Sequence, residues 1–253
     1  MFNYYLNRGL DCVEVIAKNL SERTWLLPDL LCPDVIDTIK ANVKAVEFYH
    51  VGENLDWAIK IAELHPKVLF SVDYFGQENP SSDTAPPNTI IVRDSVWFPM
   101  PFSPVKHHEI WFNSWRKIYH AVKGIKGAFI ISPYRLSGMD SIPNIANHHA
   151  LTWWEMNKRW ENYYFCKEIF KEFAISHHNQ QFPSVFPIKL NNRDEILAEL
   201  DTPLPRMWVD LHNLGNVLYN KLAFIPLDSR YTRESLAKLA SRISELAKNE
   251  SLL

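Results

Sequence analysis

Glycine is scarce, with only 7 in 253 residues. Neither G-x-G-x-x-G nor G-x-x-x-x-G-K-[ST] occurs, so the common glycine-rich phosphate loops are excluded. Cysteine is scarce too. Cys12, Cys32 and Cys166 are odd in number and widely spaced, which suggests neither a disulfide framework nor a zinc site. A reducing cytoplasm is the simplest expected location. No apolar run reaches the roughly 18 residues of a membrane span. The start, MFNYYLNRGLD, lacks the charged-then-apolar layout of a signal peptide. Charge of one sign is missing as well. Lys and Arg total 27 against 29 Asp and Glu, so the formal net charge of -2 gives no drive toward nucleic acid or anionic membrane. The basic stretch from Arg116 to Lys126 is too sparse for a nucleic-acid interface. The histidine pairs at 107–108, 148–149 and 177–178 put neighbouring rings on different faces, so no metal is expected. Repeats and low-complexity tracts are absent.

What remains is an ordinary globular composition, 47% apolar, punctuated by 16 prolines and anchored by 9 tryptophans. LDCVEVIAKNL (10–20) has apolar residues at helical spacing. TWLLPDLLC reads as a short strand stopped by Pro28, followed by a helix that Pro33 opens in PDVIDTIKAN. AVEFYHV is strand-like and LDWAIKIAELH helical. KVLFSVDYF is a near-continuous apolar run, the pattern of a strand buried on both faces of a parallel sheet, and TIIVRDSVWF and GAFIIS read as further strands. QENPSSDTAPPN reads as loop. Strands alternating with helices predict an α/β layered domain. After Pro133 the character changes. A long aromatic-rich helix (150–174) precedes three short strand candidates, FPSVFPIKL, PRMWVDL and KLAFIPL. A closing helix is capped by Thr232, with Leu236, Leu239, Ile243 and Leu246 on one face. The expected organisation is a large α/β domain over 1–145. A linking helix and a small α+β domain follow over 146–253.

Ligands in open α/β sheets bind at the carboxyl ends of strands. Asp94 ends the apolar run TIIV; it is either a site carboxylate or a turn residue. Ser114 and Lys117 would be neighbours on one helical turn, or part of a solvated surface turn. Gly9 and Asp11 begin the first helix, where an anion could sit on the amides, or where a helix simply starts. Together, a helix N-terminus, a strand-end carboxylate and a lysine after a serine are the parts of a pyridoxal-phosphate site. The amides and hydroxyl would hold phosphate, the carboxylate the pyridine nitrogen, and the amine the aldehyde.

The chain resembles the DegT/StrS family of sugar aminotransferases. NRGLDCVEVIAKNL is similar to the family's SGRDAL helix start. The segment from WLLPDLLCPDV to EFYHV is similar to its strand, P-x-x-x-C-P turn, helix and next strand. VLFSVDYFGQ matches VHYFG, TIIVRDSVWF matches VIEDAAH, NSWRK matches YSLRK, and KLAFIPLDSRY matches the C-terminal LPxDxRY strand. The resemblance spans nearly the whole chain in order. It implies the three-layer α/β/α transferase fold of type I, pyridoxal 5'-phosphate as cofactor, and a homodimer. It also implies transfer of an amino group from an amino acid donor to a nucleotide-linked keto-sugar. Residue by residue, it implies Lys117 as the Schiff-base lysine and Asp94 as the ring-nitrogen carboxylate. Gly9, Leu10, Asp11 and Ser114 would lie near the phosphate.

The departures are specific. Arg8 stands where the motif has serine, beside the expected phosphate. Trp97 replaces a histidine three residues after the aspartate. Cys32 falls near the place of an aromatic that stacks on the cofactor ring. The helix between YFG and Asp94 is replaced by loop, and the segment usually preceding the first helix is expected to be missing. Lys123 and Lys126 lie close enough to Lys117 to compete for its place in the alignment. The alternative consistent with these changes is a non-catalytic homologue that keeps the fold for binding or assembly.

Overall fold

The computed structural model describes residues 1–55, 67–79, 85–101, 103–118, 127–142, 153–175 and 180–250. The described chain divides into two compact units, one of 1–150 with 179–182, the other of 151–178 with 183–253.

The first unit is built on a seven-stranded sheet. Its strands are β1 (Phe2–Leu6), β2 (Thr24–Pro28), β3 (Ala45–Tyr49), β4 (Val68–Val72), β5 (Ile90–Asp94), β6 (Glu109–Phe112) and β7 (Ala128–Ser132). Their spatial order is β1-β7-β6-β5-β4-β2-β3. The inner ladders from β3 through β6 are parallel, and β7 pairs antiparallel with both β6 and β1. Strands β4, β5, β6 and β7 are buried at every position. That is what apolar runs without alternation predict for a sheet covered on both faces.

Helix α1 (Gly9–Asn19) follows β1 and buries Cys12, Val13, Ile16 and Ala17, the stripe set by its spacing. Helix α2 (Pro33–Lys40) opens on Pro33, whose missing N–H costs nothing in the first turn. The helix expected over 55–65 lies almost wholly outside the described residues. After β6, the four-residue helix α3 (Trp115–Ile118) begins the segment that carries Lys117.

The second unit holds α4 (Trp153–Ile169), a two-stranded antiparallel sheet of β8 (Val185–Lys189) and β9 (Leu222–Pro226), α5 (Arg193–Ala198) and α6 (Arg233–Glu250). Tyr163, Cys166, Phe186, Ile188, Ile225, Leu236 and Ile243 form its core. The aromatic stripe of α4 is therefore partly packing: Tyr163 is buried against Phe186, while Trp154 and Tyr164 are exposed. Thr232 caps α6 as expected. Its Oγ1 accepts from the Ser235 N–H at 3.2 Å, and its own N–H donates to Ser235 Oγ at 2.9 Å. PRMWVDL does not form a strand. It makes one isolated bridge, Arg206 to Ala223, because Pro205 has no donor to continue the ladder.

Candidate active site

Asp94 is the last residue of β5, in register with Val72 of β4 and Phe112 of β6. It is buried, and one carboxylate oxygen, Oδ1, accepts the Val96 N–H at 3.1 Å. Burial pushes its pKa up to about 7; the Val96 amide opposes that, the charge of Asp73 adds to it, and the Lys117 amine opposes it. At neutral pH this carboxyl group is poised between its protonated and ionised forms, and a further cation would favour the ionised one.

Lys117 is brought to this carboxylate by backbone ties at the end of β6. Asn113 and Trp115 donate their N–H groups to Phe129 and Gly127, both at 3.0 Å. The Asn113 amide Nδ2 reaches back to the carbonyls of Phe98 and Pro99 at 3.2 and 2.9 Å, binding the loop after β5 to the lysine segment. Lys117 Nζ sits 5.1 Å from the ring centroid of Trp97, which in turn packs on Phe75 at 6.1 Å. Burial lowers the lysine pKa and Arg116 lowers it further, while Cys32 and Asp94 pull it back. Cys32 is half-buried at the start of α2. Burial raises its thiol pKa, against the opposing amides of Val35 and Asp34 and the Lys117 amine.

The N-terminus of α1 closes the group. Its N-cap, Arg8, supplies no side-chain capping bond, so the first-turn amides of Gly9 and Leu10 depend on another acceptor. Gly9 is favoured by close approach. A Cβ there would stand 3.1 Å from Ser114 Cβ and 3.5 Å from Val96 Cγ1. Ser114 is buried, Leu10 is half-buried, and Cys12 one turn further on is buried within electrostatic reach of Asp94. Arg8 is exposed, and its guanidinium forks onto Asp11 Oδ1 at 3.0 and 2.7 Å. That ion pair cancels the negative charge Asp11 would otherwise add to the first turn.

Gly9, Ser114, Asp94, Trp97, Cys32 and Lys117 thus converge at the carboxyl ends of β5 and β6. Leu10 and Asp11 adjoin them, and Arg8 is engaged with Asp11. Lys123 and Lys126 lie outside the described residues. These residues fit pyridoxal phosphate on the chemistry of the donor set. They combine an uncapped helix start held against a serine, a buried carboxyl group and a desolvated amine within electrostatic reach of each other. Among the described residues no group of three or more His, Cys, Asp or Glu is arranged to hold a metal ion. No helix among them is long and apolar enough to cross a membrane.

Sequence reasoning missed the charged residues behind Asp94. Arg93 is buried, and its guanidinium reaches Asp73, Glu78 and Glu109 at 2.9, 2.8 and 3.2 Å. The available signal was an arginine inside the otherwise apolar IIVRD strand, which demands buried carboxylates around it.

No protein-family model matches the chain, and no curated protein matches it by sequence. Solved structures do match its fold. A DegT/DnrJ/EryC1/StrS aminotransferase from Brucella abortus superposes with TM-score 0.73 at 12% identity, over 97% of this chain and 86% of that one. DesV of S. venezuelae, solved with a ketimine intermediate, gives 0.73 at 10% identity, over 97% and 84%. The PLP form of a sugar aminotransferase (described as putative), Spr1654 from Streptococcus pneumoniae, gives 0.70 at 11% identity, over 98% and 87%. The chain has the mixed α/β fold of the type I pyridoxal-phosphate aminotransferases.

Proposed function

We propose that this protein is a pyridoxal-phosphate-dependent aminotransferase that moves an amino group from an amino acid donor to a keto-sugar, the sugar being nucleotide-linked. The observation that carries the reading is the convergence of Asp94 and Lys117, from β5 and from the helix after β6, beside the Gly9 helix start and Ser114. The sugar aminotransferases that share the fold, one of them in its PLP form, support the substrate class and the cofactor.

Bound pyridoxal phosphate would supply an aldehyde that condenses with amines and an electron-poor ring that stabilises negative charge on the adjoining carbon. The amides of Gly9 and Leu10 and the Ser114 hydroxyl would hold its phosphate. Arg8 would act indirectly, by neutralising Asp11. Asp94 would ionise against the protonated pyridine nitrogen and keep that proton in place. Trp97 and Cys32 would border the ring. Lys117 Nζ, its proton affinity lowered by burial, is the base that takes the donor's Cα proton.

A second reading, a homologue that binds without turnover, is favoured by Cys32. A thiol cannot stack on a ring, although Trp97 brings an aromatic face to Lys117 from another side. One experiment separates the two readings. Purified protein mixed with pyridoxal phosphate should develop a visible absorption band, and glutamate should bleach it with release of 2-oxoglutarate. A band that glutamate leaves intact favours binding without turnover, and no band at saturating cofactor refutes both roles for the site.

The active enzyme is expected to be a homodimer in a reducing compartment, its buried Cys12 and Cys166 remaining thiols. Light scattering should then give about twice the 29.6 kDa chain mass. A monomer mass at micromolar concentration would contradict the assembly.

A further inference from the structure

The geometry points to Asp73 as a positioning residue for Asp94, acting through Arg93 and Ser95, the two residues that flank Asp94 in the chain. Its place in the reaction rests on the function proposed above, but its effect on Asp94 does not.

Side chains alternate along a strand, so Arg93 and Ser95 project to one face and Asp94 to the other. Asp73 holds both neighbours. Arg93 Nε and Nη2 donate to its two oxygens at 2.9 and 3.1 Å, and Ser95 Oγ donates to its Oδ2. The Asp73 N–H also donates to the Asp94 carbonyl at 2.9 Å, so one residue holds the side chains on both sides of Asp94 and the backbone of Asp94 itself. The Asn79 N–H adds a further bond to Asp73 Oδ1 at 2.7 Å. Three of these four groups, the two of Arg93 and the Asn79 N–H, can only donate, which suits an ionised carboxylate; the Ser95 hydroxyl can also accept. Burial raises the Asp73 pKa, and the Arg93 guanidinium and the hydrogen bonds from Arg93, Ser95 and Asn79 pull it back.

The surrounding charge gives this clamp an electrostatic role. Arg93 is shared by Asp73, Glu78 and Glu109, so the face behind Asp94 carries more negative than positive charge. Lys106 contributes its backbone N–H to Glu109 at 3.2 Å. The charged and titratable groups within electrostatic reach of Asp94 are Asp73, behind it in the turn after β4, Lys117 from α3 and Cys12 from α1. Of these, Asp73 is the one whose negative charge makes an anionic Asp94 costly. The clamp therefore favours a cation as the partner of Asp94, such as a protonated heterocyclic nitrogen.

The test follows the Asp94 carboxyl by carbon NMR in cofactor-free protein labelled at aspartate. In the parent its midpoint is expected at about 7. Asp73→Asn removes the adjacent charge, keeps the shape, and leaves Arg93 with Glu78 and Glu109. The proton affinity of Asp94 should fall roughly tenfold, about one pH unit. Glu109→Gln removes a charge of the same sign from the far side of Arg93 and should move it much less. Asp73→Ser removes the same charge in a smaller side chain and should shift Asp94 in the same direction. This variant serves if Asp73→Asn does not fold. An unchanged or rising Asp94 midpoint in folded Asp73→Asn or Asp73→Ser protein, or an equal shift from Glu109→Gln, overturns the assignment. Cofactor binding by the same samples is read separately, so failure of the clamp and failure of the pyridoxal-phosphate reading give different results.

Discussion

Asp94→Asn is expected to stabilise the cofactor-free protein while removing most of its activity. The sign follows from the raised pKa. A carboxyl that titrates at about 7 in the folded chain, against about 3.9 when unfolded, favours folding in its protonated form. That contribution is fully present below about pH 4 and is lost as pH rises through about 7. Asparagine is neutral throughout, and its Oδ1 can still accept the Val96 N–H. The variant and the parent should therefore melt together near pH 4. By pH 8 the variant should be more stable by an amount on the order of 2–4 kcal/mol, since one pKa unit corresponds to about 1.4 kcal/mol. Activity should move the opposite way, falling roughly 10²–10³-fold, the range for losing one preorganised electrostatic partner. Calorimetry across pH and initial rates on one preparation check both halves. A stability difference that does not grow with pH would mean that Asp94 is already ionised in the folded chain.

Lys117→Ala should have the larger effect on turnover and a small effect on the fold. The backbone ties that hold this segment to its neighbours belong to Asn113 and Trp115. Its loss removes the contact with the Trp97 ring, worth about 0.5–2 kcal/mol. It also relieves the desolvation that lowers the lysine pKa, so the net change in stability should stay within about 1 kcal/mol. Without the base, transamination should fall by at least roughly 10²–10⁴-fold. Lys123→Ala and Lys126→Ala should leave the rate within a few-fold of the parent. A substantial rate in Lys117→Ala, or its loss in either control, would assign the reactive amine to another lysine.

The sequence made parts of this site legible because their signals are local. An apolar run that ends in a carboxylate marked both β5 and Asp94. The spacing from Ser114 to Lys117 placed serine and lysine on one turn, and a helical stripe located α1 beside Gly9. The parts that escaped depend on pairing across the sheet. β1, the FNYYL segment, buries only Tyr4 within the strand, whose hydroxyl accepts the Leu136 N–H at 2.8 Å. Its place beside β7 has no signature in its own five residues. β6, Glu109–Phe112, is four residues, too short to stand out from the aromatic stretch that holds it. The contact of Arg93 with Asp73 joins residues 20 apart and follows from the register of Val72 with Asp94. The contact of Gly9 with Ser114 joins the starts of α1 and α3, which only the assembled sheet brings together. Arg8 was expected at a phosphate; its pairing with Asp11 three residues on was available from helical spacing alone.

The central claim is that this chain holds pyridoxal phosphate on Lys117. It is tested most directly by incubating the purified protein with the cofactor, reducing with borohydride, and mapping the peptides by mass spectrometry. The account predicts a stoichiometric pyridoxyl adduct on Lys117, in the peptide containing NSWRK, and none on Lys123 or Lys126. An adduct spread over surface lysines at low yield, or none at saturating cofactor, would contradict it.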